Sequence, residues 1–511
     1  MSLRAYRGLP VRWLRWTVLW AVLMTDGCAS LQQRNQQARF NAAYLVGDYA
    51  AAANAMALSG QDVGTPVLEL LHQGGAYWLT GDYQGAIAVF DQAEAGMKHL
   101  DTEGVVAGLG QDLMSLLVNE SSRDYRALMS EAILVNTFKA LAFLAQANTD
   151  YARVEFNRAD DRTRRAVDFF ADDIRRQRDS IRESAADAGD VRRSLNSDDL
   201  RSAVAQNYGD PSIWGVYPDY MVPVSTYLHG LYFLANGTGP TERERALDSL
   251  SRVAQMMPDN PVLKTDVRLA ERQASGQLRR RSLPPQVWVV YENGLGPVPE
   301  EVRFEVPLFV SGDHGSQLII TAIALPRYRD RLALPGALQL EGDAVVIAEP
   351  LAEMGRVIRT EMQARFPGIL MRALASAVVK GVMQRQAADS MGALGQFGAM
   401  LYTVSTTQAD LRSWQTLPDH WAVARLARPE SGQLRVSDTL TGQLGEISLP
   451  NWPFTLVYVK RPTAQAPATV IVLDLQGRHA AVNYRLPNAD DQAALAEAQD
   501  GTAGPGSSQM E

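Results

Sequence analysis

Apolar positions recur at helical spacing through the first half of the chain and at strand spacing through the second. From residue 31 to residue 272 the pattern predicts a succession of amphipathic helices. The run Gln277-Leu278-Arg279-Arg280-Arg281-Ser282-Leu283-Pro284-Pro285 ends it, because Pro-Pro cannot continue a helix, and 276–285 reads as a linker. Beyond it, 287–291, 302–306 and 318–323 read as strands, with more at 344–348, 421–427, 454–460 and 469–474. Between them 351–413 is helical, broken near Pro367. Gly312-Asp313-His314-Gly315 reads as a hairpin turn. The predicted fold class is α+β. A helical repeat-like domain, 28–275, precedes a mixed-sheet domain, 286–487, with a long helical insertion. The small, polar and acidic residues 488–511 are expected to be disordered.

The helical half carries an internal echo. Gly47-Asp48-Tyr49 recurs 34 residues later as Gly81-Asp82-Tyr83. Around the second copy, Gly74 and Tyr77 precede the turn and Ala86, Phe90 and Ala93 follow it, where tetratricopeptide repeats place their packing residues. Two antiparallel helices approach closely only if small residues occupy the crossing, with aromatic rings filling the holes beside it. Gly230 and Phe233, then Ala246, Leu250, Val253 and Pro258, read as a further pair with about four extra residues in the turn. Within the charged run 152–162 and just beyond it, Glu155 can reach Arg158, Asp160 can reach Arg164 and Asp161 can reach Arg165 at helical spacing. That is read as a solvated, self-paired helix face, and a partner-docking strip is the sharper alternative.

Composition changes the picture mainly by exclusion. The chain has 511 residues and a formal charge of −8, which disfavours a phosphate backbone as partner, so no nucleic-acid role is expected. Its single cysteine rules out a disulfide framework and a cysteine-built zinc site. That cysteine, Cys28, follows Arg4, Arg7, Arg12, Arg15, the apolar run 16–24 and Gly27. Residues 1–27 therefore read as a lipoprotein signal peptide, with Cys28 as the lipid attachment site. A plain secretory signal is the alternative, since Thr25 and Asp26 stand where a lipobox has Leu and a small residue. Ala29 and Ser30 supply no inner-membrane retention aspartate, so the expected address is the periplasmic face of the outer membrane.

Candidate chemistry is sparse. The six histidines are scattered, with none at ligand spacing on one helix, and neither metal nor cofactor is expected. No phosphate loop, nucleophile elbow or His-Glu-x-x-His motif occurs. Ser376 and Lys380 share a helix face at a spacing that does not suit an acylase. Residues 390–409 carry no charge and place Gly392, Gly395 and Gly398 three apart, read as an internal helix crossing with a membrane or oligomer contact as alternative. Asp410, Arg412 and Trp414 are candidate partner or cleft residues for a carboxylate or sugar. Their structural reading is a helix C-terminus locked by an ion pair with Trp414 packed beneath it, in which Asp410 and Arg412, two apart on a helix, face different directions and each need a partner of their own.

The run Thr406-Thr407-Gln408-Ala409-Asp410-Leu411-Arg412-Ser413-Trp414, with Leu417-Pro418, resembles the signature of an uncharacterised family of Gram-negative bacterial lipoproteins. Tyr291-Glu292-Asn293-Gly294-Leu295-Gly296-Pro297 and 153–162 resemble its other shared blocks, and the resemblance covers most of the chain. It implies repeat-like helices and genes often found near those of penicillin-binding-protein activator lipoproteins, with no attached activity. The resulting expectation is a non-enzymatic envelope scaffold with an envelope protein as partner. The alternatives are a cell-wall or glycan-acting enzyme or binder with its site near Asp410–Trp414, and an oligomeric membrane-associated assembly using 390–409.

Overall fold

The computed structural model describes residues 34–57, 66–103, 125–184, 193–194, 196–209, 215–217, 222–312, 315–331, 333–406 and 408–487. Cys28 and 488–511 lie outside the described residues, as do the side chains of 382–407. The chain is mixed helix and strand, an α+β arrangement. The helical half comprises α1 (34–45), α2 (Tyr49–Ala55), α3 (Val67–Thr80), α4 (Tyr83–Glu103), α5 (Met129–Ala145), α6 (Thr149–Ser184), α7 (Asp198–Asn207), α8 (Pro223–Asn236), α9 (Pro240–Met256) and α10 (Pro261–Ala274).

Local chemistry explains several of these boundaries. The repeated Gly-Asp-Tyr triplets fall at the α1–α2 and α3–α4 turns. Gly47 and Gly81 take left-handed φ of 81° and 83°, which a side chain disfavours. The following aspartates cap the next helix, Asp48 accepting from Ala51 N and Asp82 from Gly85 N. At the α5–α6 turn, Thr149-Asp150-Tyr151 is not capped in that way, because Asn148 accepts from Tyr151 N instead.

The strands build three sheets. Six strands run in the order β12 (Val482–Leu486), β11 (Ala468–Asp474), β10 (Phe454–Arg461), β1 (Gln286–Asn293), β7 (His420–Ala427) and β6 (Glu349–Glu353). β1 pairs parallel with β10 and antiparallel with β7, and every residue of β1 and β10 is buried, as for strands covered on both faces. A four-stranded sheet has the order β5 (Val345–Ile347), β4 (Leu338–Glu341), β8 (Gln433–Asp438) and β9 (Gly442–Ser448). The long antiparallel hairpin of β2 (Val298–Gly312) and β3 (Gly315–Arg329) forms the third, with Gly312 opposite Gly315 across the expected turn.

Alternation along β1 assigns the layers. Val287, Val289 and Tyr291 share a core with Leu340, Val436 and Ile447 of the four-stranded sheet. Trp288 and Val290 face the other way and join Phe90, Phe138 and Tyr227 of the helices. The segment 276–285 marks the change from helix to strand, and the core runs continuously across it.

The long helix α11 (Met354–Thr406) differs from its sequence reading twice. Pro367 lies inside it without ending it, and the helix stops at Thr406 rather than reaching 413. Straight, its 53 residues would span about 80 Å. Yet Glu361 near its start binds the Met129 and Ser130 amides, while Glu131 binds the Trp414 amide just past its end. The helix therefore turns back along its course. Its first part packs Phe366, Leu374 and Val378 against Phe304, Val306 and Ile323 of the β2–β3 hairpin, and the two form an arm beside the layered body.

Candidate functional site

Past α11 the chain runs without helix or strand from 408 to 414, and this corrects the reading of Asp410 and Arg412. Freed from helical geometry, they do not face apart. Arg412 Nε donates to Asp410 Oδ1 at 2.9 Å and Nη2 donates to Oδ2 at 2.8 Å, a bidentate pair. The Arg412 backbone amide adds a third donor to Oδ1 at 3.0 Å.

Trp414 is buried at 4% exposure, as expected, but not beneath a helix end. Its ring lies 5.9 Å from Phe90 of α4 and 5.8 Å from Phe138 of α5, and it covers Gly75 of α3. The groove that α3, α4 and α5 could offer to a peptide is thus filled by the chain's own tryptophan. Side chains from several elements read the backbone of this strap. Glu131 accepts from Trp414 N, His72 Nε2 accepts from Gln415 N, Arg331 donates to Gln415 O and Lys460 donates to Thr416 O.

Two of those groups are perturbed by their surroundings. His72 Nδ1 faces Leu68 O at 2.9 Å, so Nδ1 carries the proton and Nε2 is free to accept. Burial lowers its pKa to about 4. Glu131 accepts from Tyr125, Leu128 N and Trp414 N, but burial outweighs these bonds and raises its pKa to about 7.

The candidate repeat residues lie around the crossing of α3 and α4. Ala86, Phe90 and Ala93 are fully buried, and a Cβ on Gly74 would stand 2.6 Å from Phe90 Cε1. Tyr77 is only partly buried, at the edge of the same core. Gly230 repeats the device on α8, where a Cβ would meet Leu250 of α9 at 2.8 Å.

The charged run on α6 makes the three predicted local pairs, Glu155–Arg158, Asp160–Arg164 and Asp161–Arg165, at 2.6, 2.7 and 3.5 Å. It is nevertheless not simply a solvated face. Glu155, 3% exposed, also binds the buried Lys139 at 3.1 Å, and Lys139 in turn binds Asp91 and Glu94 at 2.7 and 2.8 Å. Burial alone would raise the Glu94 carboxyl, but its bond to Lys139 brings it down to about 2. The cluster ties α4, α5 and α6 together. A second buried carboxylate, Glu292 in the β1 block, accepts from Trp421, Tyr458 and Lys460 between sheet and helices. A third, Asp266, is bound by Tyr227, Trp288 and Arg425. Sequence reasoning missed all three clusters, whose partners are far apart in the chain.

Asp410 and Arg412 line a cleft of about 150 Å³ between the base of β3, the first part of α11 and 125–128. On α11 the stripe Met362, Arg365, Ile369, Arg372, Ser376 and Lys380 faces it at helical spacing. Ser376 and Lys380 therefore do share a cavity, and burial lowers the Lys380 ammonium to about 8. The ionisable lining is five cations, with Arg126 the fifth beside Arg412, against the Asp410 carboxylate, apart from the phenols of Tyr125 and Tyr328. No group of three or more potential metal ligands occurs among the described residues. No helix among them is long and apolar enough to cross a membrane. No protein-family model matches the chain, and no curated protein or solved structure matches it either.

Proposed function

We propose that this chain is a non-enzymatic envelope lipoprotein, anchored through Cys28 at the periplasmic face of the outer membrane, that scaffolds other envelope proteins. In this reading the helical half is a tetratricopeptide-like array, supported by the Gly74–Phe90 and Gly230–Leu250 crossings. The observation that carries the non-enzymatic reading is the Asp410–Arg412 pair. Both carboxylate oxygens are engaged by one guanidinium, so the acid that a hydrolytic site would need is locked rather than poised. Trp414 occupies the α3–α5 groove, so partner contacts fall to outer helix faces and to the arm.

The test is affinity capture of the tagged full chain from crosslinked envelopes. A discrete protein partner, retained by Asp410→Asn, supports the scaffold. Enrichment of wall fragments without a protein, lost in Asp410→Asn, supports the alternative of a glycan-acting enzyme or binder. Cys28→Ser tests the anchor separately, because serine cannot form the thioether. The variant is expected to lose fatty-acid labelling and outer-membrane fractionation, and retention of both would remove the lipoprotein reading.

A further inference from the structure

The arm cleft combines two features rarely needed together by a purely structural cavity. Its polar groups are strongly cationic in a protein whose overall charge is −8, and its long wall is apolar. Arg365 and Arg372 project from one stripe of α11, with Lys380 further along and Arg126 at the base. Field lines from cations in such a concave, low-dielectric site are focused within it, which favours an anion there.

The apolar part continues beyond the cleft. Successive even-numbered residues of β3 share one face, so Tyr328, Pro326, Ala324 and Ala322, which line the cleft, are continued by Ile320 and Leu318. Those last two are 73% and 56% exposed, the former among the most exposed large apolar side chains of the described residues. The track from Tyr328 to Leu318 is about 34 Å long at strand rise. Ala373 and Ala377 of α11 also line the cleft, where they join the core that Ile323 and Leu325 form on the odd-numbered face of β3.

We infer that this cleft binds an anionic lipid, with a phosphate headgroup at the Arg365–Arg372 stripe and acyl carbon along the even-numbered face of β3. The cations give the headgroup its charge complement, and the exposed apolar end gives the chains a surface that water otherwise covers unfavourably. The inference is independent of the scaffold reading, since a scaffold without a lipid site and a lipid-binding protein without a protein partner give different results below and in envelope capture.

The test is calorimetric titration of the full chain with dihexanoyl phosphatidate, which is monomeric, against dihexanoyl phosphatidylcholine and inorganic phosphate. Phosphatidate is expected to bind at least about ten-fold more tightly than either control. Arg365→Glu with Arg372→Glu is expected to lose at least about ten-fold in affinity, whereas Arg165→Glu on exposed α6 surface changes nothing. Should the double reversal fail to fold by circular dichroism, Arg365→Gln with Arg372→Gln is expected to show a smaller loss in the same direction. Equal binding of phosphatidylcholine overturns headgroup recognition, and equal binding of inorganic phosphate overturns the lipid. Phosphatidate affinity unchanged in either double variant, or no phosphatidate binding to the parent chain, overturns the site.

Discussion

One missing methyl group decides whether α3 and α4 can touch. Gly74 and Gly75 are adjacent on the same helix, and by propensity alone alanine would favour the helix at both by roughly 0.5–1 kcal/mol. Their surroundings separate them. At Gly75 the nearest atoms to a Cβ are Trp414 Cζ2 and Nε1 at 3.5 Å, an ordinary contact. At Gly74 the Phe90 ring stands at 2.6 Å and is itself backed by Phe138 and Trp414, so it has nowhere to retreat. Gly74→Ala is expected to destabilise by about 1–3 kcal/mol, the usual cost of overpacking, while Gly75→Ala is neutral or slightly stabilising. Denaturant midpoints of the two variants check this, and equal midpoints would remove the close crossing.

His72 makes a second prediction at this scale. Its folded pKa, about 4, lies below the ordinary value of 6.5 because burial disfavours the charged ring, and the neutral ring accepts from Gln415 N. The unfolded chain binds a proton between those values and the folded chain does not. The contribution is therefore complete above about pH 6.5 and is lost as the pH falls toward 4. Glu131 works in the opposite sense, since a carboxyl raised to about 7 weakens the fold as the pH climbs from 4.5 to 7. Imidazole chemical shifts followed by NMR should show the His72 ring neutral down to about pH 4. Titration near 6.5 would mean that the ring is solvated and does not hold the strap.

Among the elements, the strap 408–418 is the least expected and the most connected. Trp414→Ala empties a site bounded by α3, α4 and α5 and is expected to cost about 3–5 kcal/mol, measured by chemical denaturation. Asp410→Asn keeps most of its contacts to Arg412 and is expected to change stability by well under that amount. Cost concentrated at Asp410 instead would return this segment to the status of a reactive site. Elements whose signals are local were legible in the sequence. The Gly-Asp turns, the i,i+4 pairs of α6 and the core strands β1, β10 and β11 follow from spacing and turn chemistry. The Asp410–Arg412 pair was misplaced because a helical period was extended seven residues too far, and on a helix i and i+2 cannot meet. β8 carries a clear alternation, Leu434 and Val436 in and Arg435 and Ser437 less so, but its polar residues hid it beside the apolar core strands.

For the molecule as a whole, nonlocal pairing is what one-dimensional reading could not supply. Glu155 finds Arg158 by spacing but finds Lys139 only because α5 and α6 pack side by side. Glu292 is 168 residues from Lys460, and Trp414 is more than 270 from Phe138. The turning back of α11 has no mark in its periodicity, yet it is what brings Asp410 to the cleft opened by Arg365 and Arg372. These long-range contacts join a helical half and a sheet half, with the arm packed on a core of its own that also takes in Leu200, Val204 and Tyr208. On this account a partner or ligand meets outer surfaces and the arm cleft, because the groove of the helices is already filled from within.

That claim rests on the strap being seated in solution, and amide hydrogen exchange of the native full chain measures it directly. The Trp414 and Gln415 amides, held by Glu131 and His72, are predicted to exchange only through global unfolding, as slowly as those of α5 and β10. Rapid exchange at 414 and 415 while α5 and β10 stay protected would contradict the account, because the strap would then open locally and leave the helical groove free for a partner.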